Sequence, residues 1–283
     1  MEENKKHIIV IPVYKGDITQ YEKMSLRQCC KVMSKYTICL VTYKDLDCTV
    51  YYRIAQEYDI QLLRENFDEH YFAGLDAYNK LMIAKEFYLR FKNYDYMLIY
   101  QLDAYVFRDE LEEWCKKGYD YIGAPWFGEY KSYEEGAKLW KVGNGGFSLR
   151  KISTYIRILT RKRPVYGVSH LWQSVSDRDF FHRCYYVLKS IFGWHNTMDY
   201  YTSQYVDQED LFWCVDVNQY GYTLCIPNVA EAIAFSFERS PEYLYEQNNN
   251  TLPFGCHAWQ KYDYESFWKK YILIIDVSVE RQD

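Results

Sequence analysis

The amino-acid sequence predicts an α/β protein with a mainly parallel central sheet and helices on both faces. Apolar runs of strand length alternate with segments of helical periodicity through the first hundred residues, which is the order of a parallel sheet with crossover helices. The runs are continuously apolar, as expected of strands that are buried on both faces. A length of 283 residues and a hydrophobic fraction of 49% are sufficient for a large core.

The first part of the chain contains the elements that build this sheet. Strands are predicted where β-branched and aromatic residues run together, and helices where apolar residues recur every three or four positions. In chain order, the predicted elements are a strand at 7–14, a helix at 18–35, a strand at 36–43, a helix at 50–58, a strand at 60–64, a helix at 75–91 and a strand at 96–102.

The remainder of the chain is less regular. A helix is predicted at 108–118, because acidic residues near its start and Gly118 at its end suit the helix dipole and a C-cap. There is no internal repeat or obvious linker, so we predict a single domain over 1–283. Further along come a short strand and a Pro-Trp turn within 119–127, a glycine-rich turn within 141–151, an insertion at 161–205, a helix within 206–217 and a turn at 253–259.

Composition and charge argue against several classes of protein. A net charge of −5 disfavours a nucleic-acid partner, which requires a basic face. Nine cysteines without a CxxC pair disfavour a zinc site and suit reduced thiols. No apolar run has the length of a membrane span, and the first residues do not form a secretory signal. We therefore predict a cytoplasmic protein. The absence of GxSxG and HExxH disfavours hydrolases and metalloproteases.

The strand predicted at 96–102 ends in Gln101-Leu102-Asp103. In open α/β sheets, ligands bind beyond the carboxyl ends of the strands, and Asp103 is predicted to lie at such an end. A carboxylate there can bind a divalent cation, which in turn neutralises a diphosphate leaving group. The alternative is that Asp103 only caps a turn or a helix.

Three further polar motifs are candidates for a site. Residues 143–146, Gly-Asn-Gly-Gly, contain more glycine than a hairpin needs, which favours close approach of the backbone to a ligand over a simple turn. Glu209 and Asp210 stand at a predicted helix start, where one can act as a general base or both can complement the helix dipole. His257, on a glycine-containing turn, can complete a metal site or be structural.

Together, these motifs resemble the glycosyltransferases of the GT-A fold. More narrowly, the chain resembles a bacterial family known as an uncharacterised glycosyltransferase-like domain. The resemblance implies a GT-A-like (Rossmann-like) fold, and the ordered set of motifs, from residue 8 to 259, is more specific than any single motif. The matching segments are IIVIPVYKG, YNKLMIAKEFY, YDYMLIYQLDAYVFRDEL, YDYIGAPW, VGNGGFSLRK, QEDLFW and PFGCHAW.

The resemblance also implies a role for each motif. GT-A enzymes hold a metal and a nucleoside diphosphate with an Asp-x-Asp motif, in which Gln101 here replaces the first Asp. Asp103 and His257 are the implied ligands of Mn²⁺ or Mg²⁺, and a metal-independent site is the alternative. Asp210 is the implied catalytic base, with Glu209 as the second candidate. The implied nucleotide-binding residues are Pro12, Val13, Tyr14, Asn79, Lys80, Gln101 and Asp103, and the implied sugar-binding residues are Asn144, Gly145 and Gly146.

These roles predict a hexosyltransferase-like glycosyltransferase that inverts the anomeric centre. Its partners are a nucleotide-sugar donor, with a UDP-sugar favoured, and a hydroxyl of a glycan or another acceptor, as in surface polysaccharide synthesis. No nucleic acid is expected, and contact with a membrane would be peripheral. A nucleotidyltransferase and a non-catalytic carbohydrate- or nucleotide-binding protein are the alternatives. The sequence leaves the oligomeric state open.

Overall fold

The computed structural model describes residues 7–128 and 138–272. Short 3₁₀ turns lie at Glu69–Phe72, Asp216–Tyr220 and Trp268–Lys270. The strands are β1 (His7–Pro12), β2 (Thr37–Tyr43), β3 (Leu63–Phe67), β4 (Tyr96–Tyr100), β5 (Tyr105–Val106), β6 (Tyr121–Ile122), β7 (Pro125–Phe127), β8 (Leu139–Val142), β9 (Phe147–Lys151), β10 (Ser236–Phe237) and β11 (Gly255–Cys256). The helices are α1 (Gln20–Val32), α2 (Thr49–Gln56), α3 (Leu75–Met82), α4 (Lys85–Arg90), α5 (Leu111–Lys116), α6 (Ile152–Leu159), α7 (Val168–Ser174), α8 (Phe180–Ile191), α9 (Met198–Gln204), α10 (Glu209–Cys214), α11 (Val229–Phe235) and α12 (Pro241–Gln247).

Within the described residues, a central sheet of six strands has the spatial order β3-β2-β1-β4-β9-β6. Strand β1 lies between β2 and β4 and is parallel to both, and β3 is parallel to β2. Strand β9 is antiparallel to its neighbours β4 and β6. The four residues 8–11 of β1 are apolar, β-branched and buried, which suits the centre of a sheet covered on both faces. The predicted α/β fold class with a mainly parallel sheet is confirmed.

Helices pack on both faces of the sheet because neighbouring strand side chains point in opposite directions. On one face, Ile9 and Ile11 join a buried cluster with side chains of α1, α2 and α5. On the other face, Ile8 and Val10 join a cluster with side chains of α3, α4, α6 and α10. The elements that carry the polar motifs therefore rest on a rigid apolar support.

The helix predicted over 75–91 is two helices, α3 and α4, so the prediction of one continuous helix was wrong. The break follows Met82, whose carbonyl accepts hydrogen bonds from the Tyr88 hydroxyl at 2.8 Å and from the Trp213 indole at 3.2 Å. Carbonyls at a helix end need such partners from outside the helix. The two aromatic side chains therefore stabilise a helix end that the apolar periodicity does not reveal.

The third strand lies further along the chain than the predicted range of 60–64. Strand β3 spans Leu63–Phe67 and forms an edge of the central sheet. Polar residues at 64–66 and the partly exposed Leu63 side chain are compatible with an edge strand, which is only half covered. An apolar run is therefore a poor marker of its position.

The carboxyl ends of the parallel strands lie along one edge of the sheet. Residues 13–17 follow β1 and residues 101–103 follow β4 at this edge. Strand β9 begins there, and the N–H of Gln101 donates to the carbonyl of Gly146 at 2.9 Å. The antiparallel strand therefore brings the glycine-rich turn beside the end of β4.

The segment 161–205, predicted as an insertion, contains α7, α8 and α9. Lys80 of α3 binds the C-terminal end of this segment. Its ammonium group donates hydrogen bonds to backbone carbonyls there, including that of Ser203 at 2.8 Å. Lys85 of α4 forms an ion pair with Asp199 of α9 at 2.7 Å. Helix α9 then leads to α10 at the edge of the sheet. In the two described ranges, no helix has both the length and the apolar character needed to cross a bilayer.

Candidate active site

Two adjoining cavities open along the carboxyl edge of the sheet. The large cavity, of about 470 Å³, lies beside the end of β1. The small cavity, of about 220 Å³, lies beside the glycine turn that precedes β9. Leu75, Tyr78 and Gln101 line both cavities, so the Gln101 side chain stands at their junction. The two cavities form one cleft with differently lined halves.

The large cavity combines aromatic rings with a carboxylate. Pro12, Val13 and Tyr14 line it at the end of β1, and Asp103 lines it at the end of β4. The Tyr14 side chain is 60% exposed, which leaves its ring available to a planar ligand. Rings from the 3₁₀ turn at 69–72 line the same cavity. This lining suits a ligand with an aromatic part and a charged part.

Asp103 and Gln101 converge on His257. The Nε2 atom of His257 lies 3.1 Å from Oδ1 of Asp103 and 3.1 Å from Oε1 of Gln101. On the other side of the ring, Nδ1 lies 3.4 Å from Oε1 of Glu238. Burial opposes a charged imidazole, but Asp103 and Glu238 outweigh burial and raise the pKa of His257 to about 10. Burial of Asp103 is likewise outweighed by His257, which lowers the pKa of that carboxyl.

The same cluster offers three donor atoms to a divalent cation. The two 3.1 Å separations at His257 are hydrogen-bond and ion-pair contacts of Nε2, so a cation there would replace the proton on that nitrogen. Carboxylate and amide oxygens suit Mg²⁺ and Mn²⁺, whereas imidazole nitrogen suits transition-metal cations. Across residues 7–128 and 138–272, no three His, Cys, Asp or Glu side chains are grouped to hold a metal. A cation at His257 would therefore need further oxygens from a ligand or water.

The glycine turn brings the backbone close to the polar side chains of the small cavity. A Cβ atom on Gly146 would lie 2.0 Å from Nε2 of His257, and one on Gly145 would lie 1.9 Å from Oε1 of Glu209. Only glycine fits at such distances. Asn144 adopts a left-handed conformation with φ of 65°, and its Oδ1 accepts a hydrogen bond from the Gly146 N–H at 3.2 Å. The turn thus positions the wall of the small cavity.

Glu209 is held in a buried ion pair. Its Oε1 lies 2.6 Å from a guanidinium nitrogen of Arg150, and both side chains are buried. Arg150 also donates to the Tyr88 hydroxyl at 3.0 Å and to Oγ of Ser148 at 3.1 Å. These bonds fix the first residue of α10 against β9. The Glu209 carboxylate is therefore engaged by a cation and is less available to a ligand than its neighbour.

Asp210 is the carboxylate of the small cavity that has no cationic partner within salt-bridge distance among the described residues. Its Oδ2 accepts the N–H of Gly145 at 3.1 Å, and its Oδ1 accepts the N–H of Leu211 at 2.8 Å. Burial and the negative charge of Glu209 raise the pKa of Asp210 to about 7, against the effect of these hydrogen bonds. A carboxylate with this pKa suits proton transfer near neutral pH.

Two of the predicted nucleotide-binding residues lie away from the large cavity. Asn79 lines the small cavity, where its Oδ1 accepts the N–H of Glu209 at 3.3 Å. Lys80 lines neither cavity and binds backbone carbonyls in the segment 202–205. The other predicted site residues line the cleft.

Several lining residues escaped the sequence analysis. Trp126 lies within the motif YDYIGAPW, so an aromatic ring beside a proline turn was available as a signal. Glu238 and Arg239 directly follow β10, much as Asp103 comes after β4. A charged pair after an apolar run was the sequence signal for these two residues. Arg150, which lines neither cavity but binds Glu209, carried no signal, because it lies in a short strand next to Lys151.

The family described as "Protein of unknown function (DUF5672)" matches residues 61–257. The chain belongs to this family. The matched range of the DUF5672 protein includes the ends of β3, β4 and β11, the glycine turn and α10, and therefore most of the cleft. No curated protein matches the DUF5672 chain.

Solved structures similar to the DUF5672 protein include three glycosyltransferases. Galactosyltransferase LgtC, in complex with donor and acceptor sugar analogs, is 11% identical with a TM-score of 0.44, over 88% of this chain and 86% of LgtC. The apo form of glycosyltransferase GlyE of Streptococcus pneumoniae TIGR4 is 13% identical, with a TM-score of 0.43. This match covers 89% of this chain and 54% of GlyE. Core-mannan synthase A from Aspergillus fumigatus, in an Mn/GDP form, is 8% identical, with a TM-score of 0.38. This match covers 72% of this chain and 70% of the synthase.

Proposed function

We propose that this DUF5672 protein is a glycosyltransferase that moves a sugar from a nucleotide-sugar donor to an acceptor hydroxyl. One observation carries the proposal. A buried carboxylate, Asp210, whose pKa is raised to about 7, lies in a small cavity that joins a larger, aromatic-lined cavity at Gln101. Such a donor has three parts. The nucleotide matches the large cavity, the diphosphate matches the junction at Gln101, and the sugar matches the small cavity.

The nucleotide is assigned to the large cavity. The exposed ring of Tyr14 offers a stacking surface for a base, and Pro12 and Val13 close the same end of the cavity. Asp103 lines the same cavity and, like Gln101 at the junction with the small cavity, contacts Nε2 of His257. The diphosphate is therefore assigned to the space between Asp103 and Gln101. A uridine base is favoured, and nucleotide-binding measurements distinguish it from the other bases.

A divalent cation is assigned to Asp103, His257 and Gln101. When bound, Mn²⁺ or Mg²⁺ would supply positive charge that stabilises the leaving diphosphate. Glu238, on the Nδ1 side of His257, orients the ring so that Nε2 faces the two oxygen donors. Binding of a cation at Nε2 requires loss of a proton from His257, so metal affinity rises with pH.

The reaction is assigned to the small cavity. Asp210 takes the proton of the acceptor hydroxyl while that oxygen forms a bond to the anomeric carbon. The bond between the anomeric carbon and the diphosphate oxygen breaks, and the electron pair leaves with the nucleoside diphosphate. A single displacement of this kind inverts the anomeric configuration. Asn144, Gly145 and Gly146 form the wall against which the sugar binds.

The acceptor is assigned to a hydroxyl compound that enters beside Trp126 and Arg239, which line the small cavity together with the glycine turn. Aromatic rings are common partners of sugar faces. A glycan of a surface polysaccharide is one such acceptor. All nine cysteines are free thiols, and on this basis we assign the enzyme to a reducing compartment such as the cytoplasm.

Thermal-shift measurements with UDP, GDP and CMP, each with Mn²⁺ or with EDTA, test the proposal. We expect one nucleoside diphosphate to stabilise the protein by about 2.7 kcal/mol at a hundredfold excess over its Kd. The variant Asp103→Asn is expected to lose this stabilisation in Mn²⁺, because it removes the carboxylate to which the cation is assigned. Asp199→Asn, which alters a surface ion pair outside the cleft, is the matched control. Failure of every nucleotide to stabilise the protein, or equal stabilisation of both variants, would contradict the proposal.

Replacing Gly146 with Ala is expected to weaken binding of Mn²⁺ with the nucleotide about tenfold or more, equivalent to 1.4 kcal/mol. The new methyl group must displace the His257 ring, because a Cβ atom would lie 2.0 Å from Nε2. Titration calorimetry measures the Kd. Gly167→Ala is the control, since a Cβ atom there meets no atom within 4 Å. Equal Kd values for the two variants would show that His257 does not contribute to binding.

A further inference from the structure

One face of α8 is a stripe of exposed apolar side chains. Phe181, Tyr185, Leu188 and Phe192, which ends the helix, follow one another at spacings of four, three and four residues and therefore share a face. Their exposed fractions are 82%, 58%, 57% and 84%. We call these four residues the α8 stripe. Large apolar side chains exposed together mark an interaction surface.

The α8 stripe points away from the rest of the protein. The buried residues of α8 are Val187 and Ser190. With about 100° of rotation per residue, both lie on the side of the helix opposite the stripe. The helix contacts α7 in the structure. The stripe is therefore a surface of the protein and not an incomplete part of the core that supports the helix.

The segment that contains the α8 stripe is basic. The segment 161–205 has six Lys and Arg against three Asp and Glu, a net charge of +3 in a chain whose total is −5. Lys189 lies in the last turn of α8 and Arg178 just precedes the helix. Cations therefore lie near both ends of the stripe.

The acidic residues beside α8 already have partners. Asp177 lies 3.5 Å from the guanidinium of Arg178. Asp179 accepts hydrogen bonds from the backbone at the start of α8 and contacts His182. The excess of basic charge around the stripe is thus only partly offset.

We propose that the α8 stripe binds the surface of a bilayer that contains anionic phospholipids. Apolar and aromatic side chains on one helix face, with basic residues beside them, are typical of helices that lie in the membrane interface. Anionic headgroups attract the flanking cations at short range. Pairing with a second copy of the stripe is disfavoured, because it would bring two segments of net charge +3 together. The inference does not depend on the proposed transferase activity.

Flotation of the purified protein with lipid vesicles tests this inference. We expect binding to vesicles of phosphatidylcholine with phosphatidylserine, weaker binding to phosphatidylcholine alone, and release by salt. The double variant Phe181→Ser/Phe192→Ser is expected to bind about tenfold more weakly, because it removes two aromatic anchors. Both side chains are more than 80% exposed, so the thermal midpoint is expected to stay unchanged.

The control is Tyr52→Ser/Leu89→Ser, which removes two partly exposed apolar side chains from α2 and α4. This control should bind vesicles as the original protein does. Absence of vesicle binding by the original protein, or equal binding by the stripe variant and the control, would overturn the inference. A dimer that the stripe variant abolishes, without vesicle binding, would overturn it in favour of self-association.

Discussion

Replacing Asp210 with Asn is expected to lower kcat by about 10²–10⁴-fold, the usual contribution of a general base. The amide oxygen can accept only one of the two hydrogen bonds from the N–H groups of Gly145 and Leu211, and the amide cannot take a proton from the acceptor. Stabilisation by the nucleotide is expected to persist, because Asp210 lines the small cavity and not the large one. Steady-state kinetics with a nucleotide-sugar and the thermal-shift measurement separate the two effects. Asp207→Asn, an exposed carboxylate three residues earlier, is the control.

The pH dependence gives the same prediction a second readout. Asp210 must be ionised to act as a base, so kcat of the original enzyme should rise with pH through about 7 and then level off. The effect of Asp210 on stability has the opposite pH dependence to its effect on kcat. A pKa raised from 3.8 to about 7 favours the protonated folded state, so this contribution to stability is lost as pH rises over that window. A pH-independent kcat, or a product that retains the anomeric configuration, would contradict the role of Asp210 as the base.

The sequence predicts well those parts of the fold whose signal is local. Strands β1 and β4 are recognisable because each is a continuous apolar run, and a polar residue that ends such a run at the carboxyl edge of a sheet becomes a site candidate. Asp103 meets both conditions. The glycine turn and α10 are likewise marked by their own residues.

The remainder depends on contacts between distant parts of the chain. The helix break after Met82 depends on the indole of Trp213, which lies 131 residues away. Lys80 was placed at the nucleotide by its motif, but carbonyls in the segment 202–205 surround its ammonium. Arg150 reads as an ordinary surface residue at a strand end until Glu209, 59 residues later, is brought against it. Local patterns cannot reveal such partners.

Replacing Arg150 with Met is expected to lower the free energy of unfolding by about 3–5 kcal/mol, the typical cost of leaving one buried charge without its partner. Glu209 would keep its carboxylate in a buried place whose nearest cation is gone, next to the second buried acid, Asp210. The Tyr88 hydroxyl and Oγ of Ser148 would also lose a donor. Denaturant unfolding measures the change.

Comparing Arg150→Met with a double variant separates the effect of the unpaired charge from the loss of packing. The variant Arg150→Met/Glu209→Met removes both charges, and we expect it to recover at least about 2 kcal/mol of the loss in the single variant, since apolar side chains can replace a buried pair. Arg27→Met is the matched control, because Arg27 forms a two-bond pair with Glu57 at 2.8 and 3.0 Å on the surface. Surface pairs contribute about 0–1 kcal/mol. A cost for Arg150→Met no larger than that of the control would contradict the expected contribution of the buried ion pair to stability.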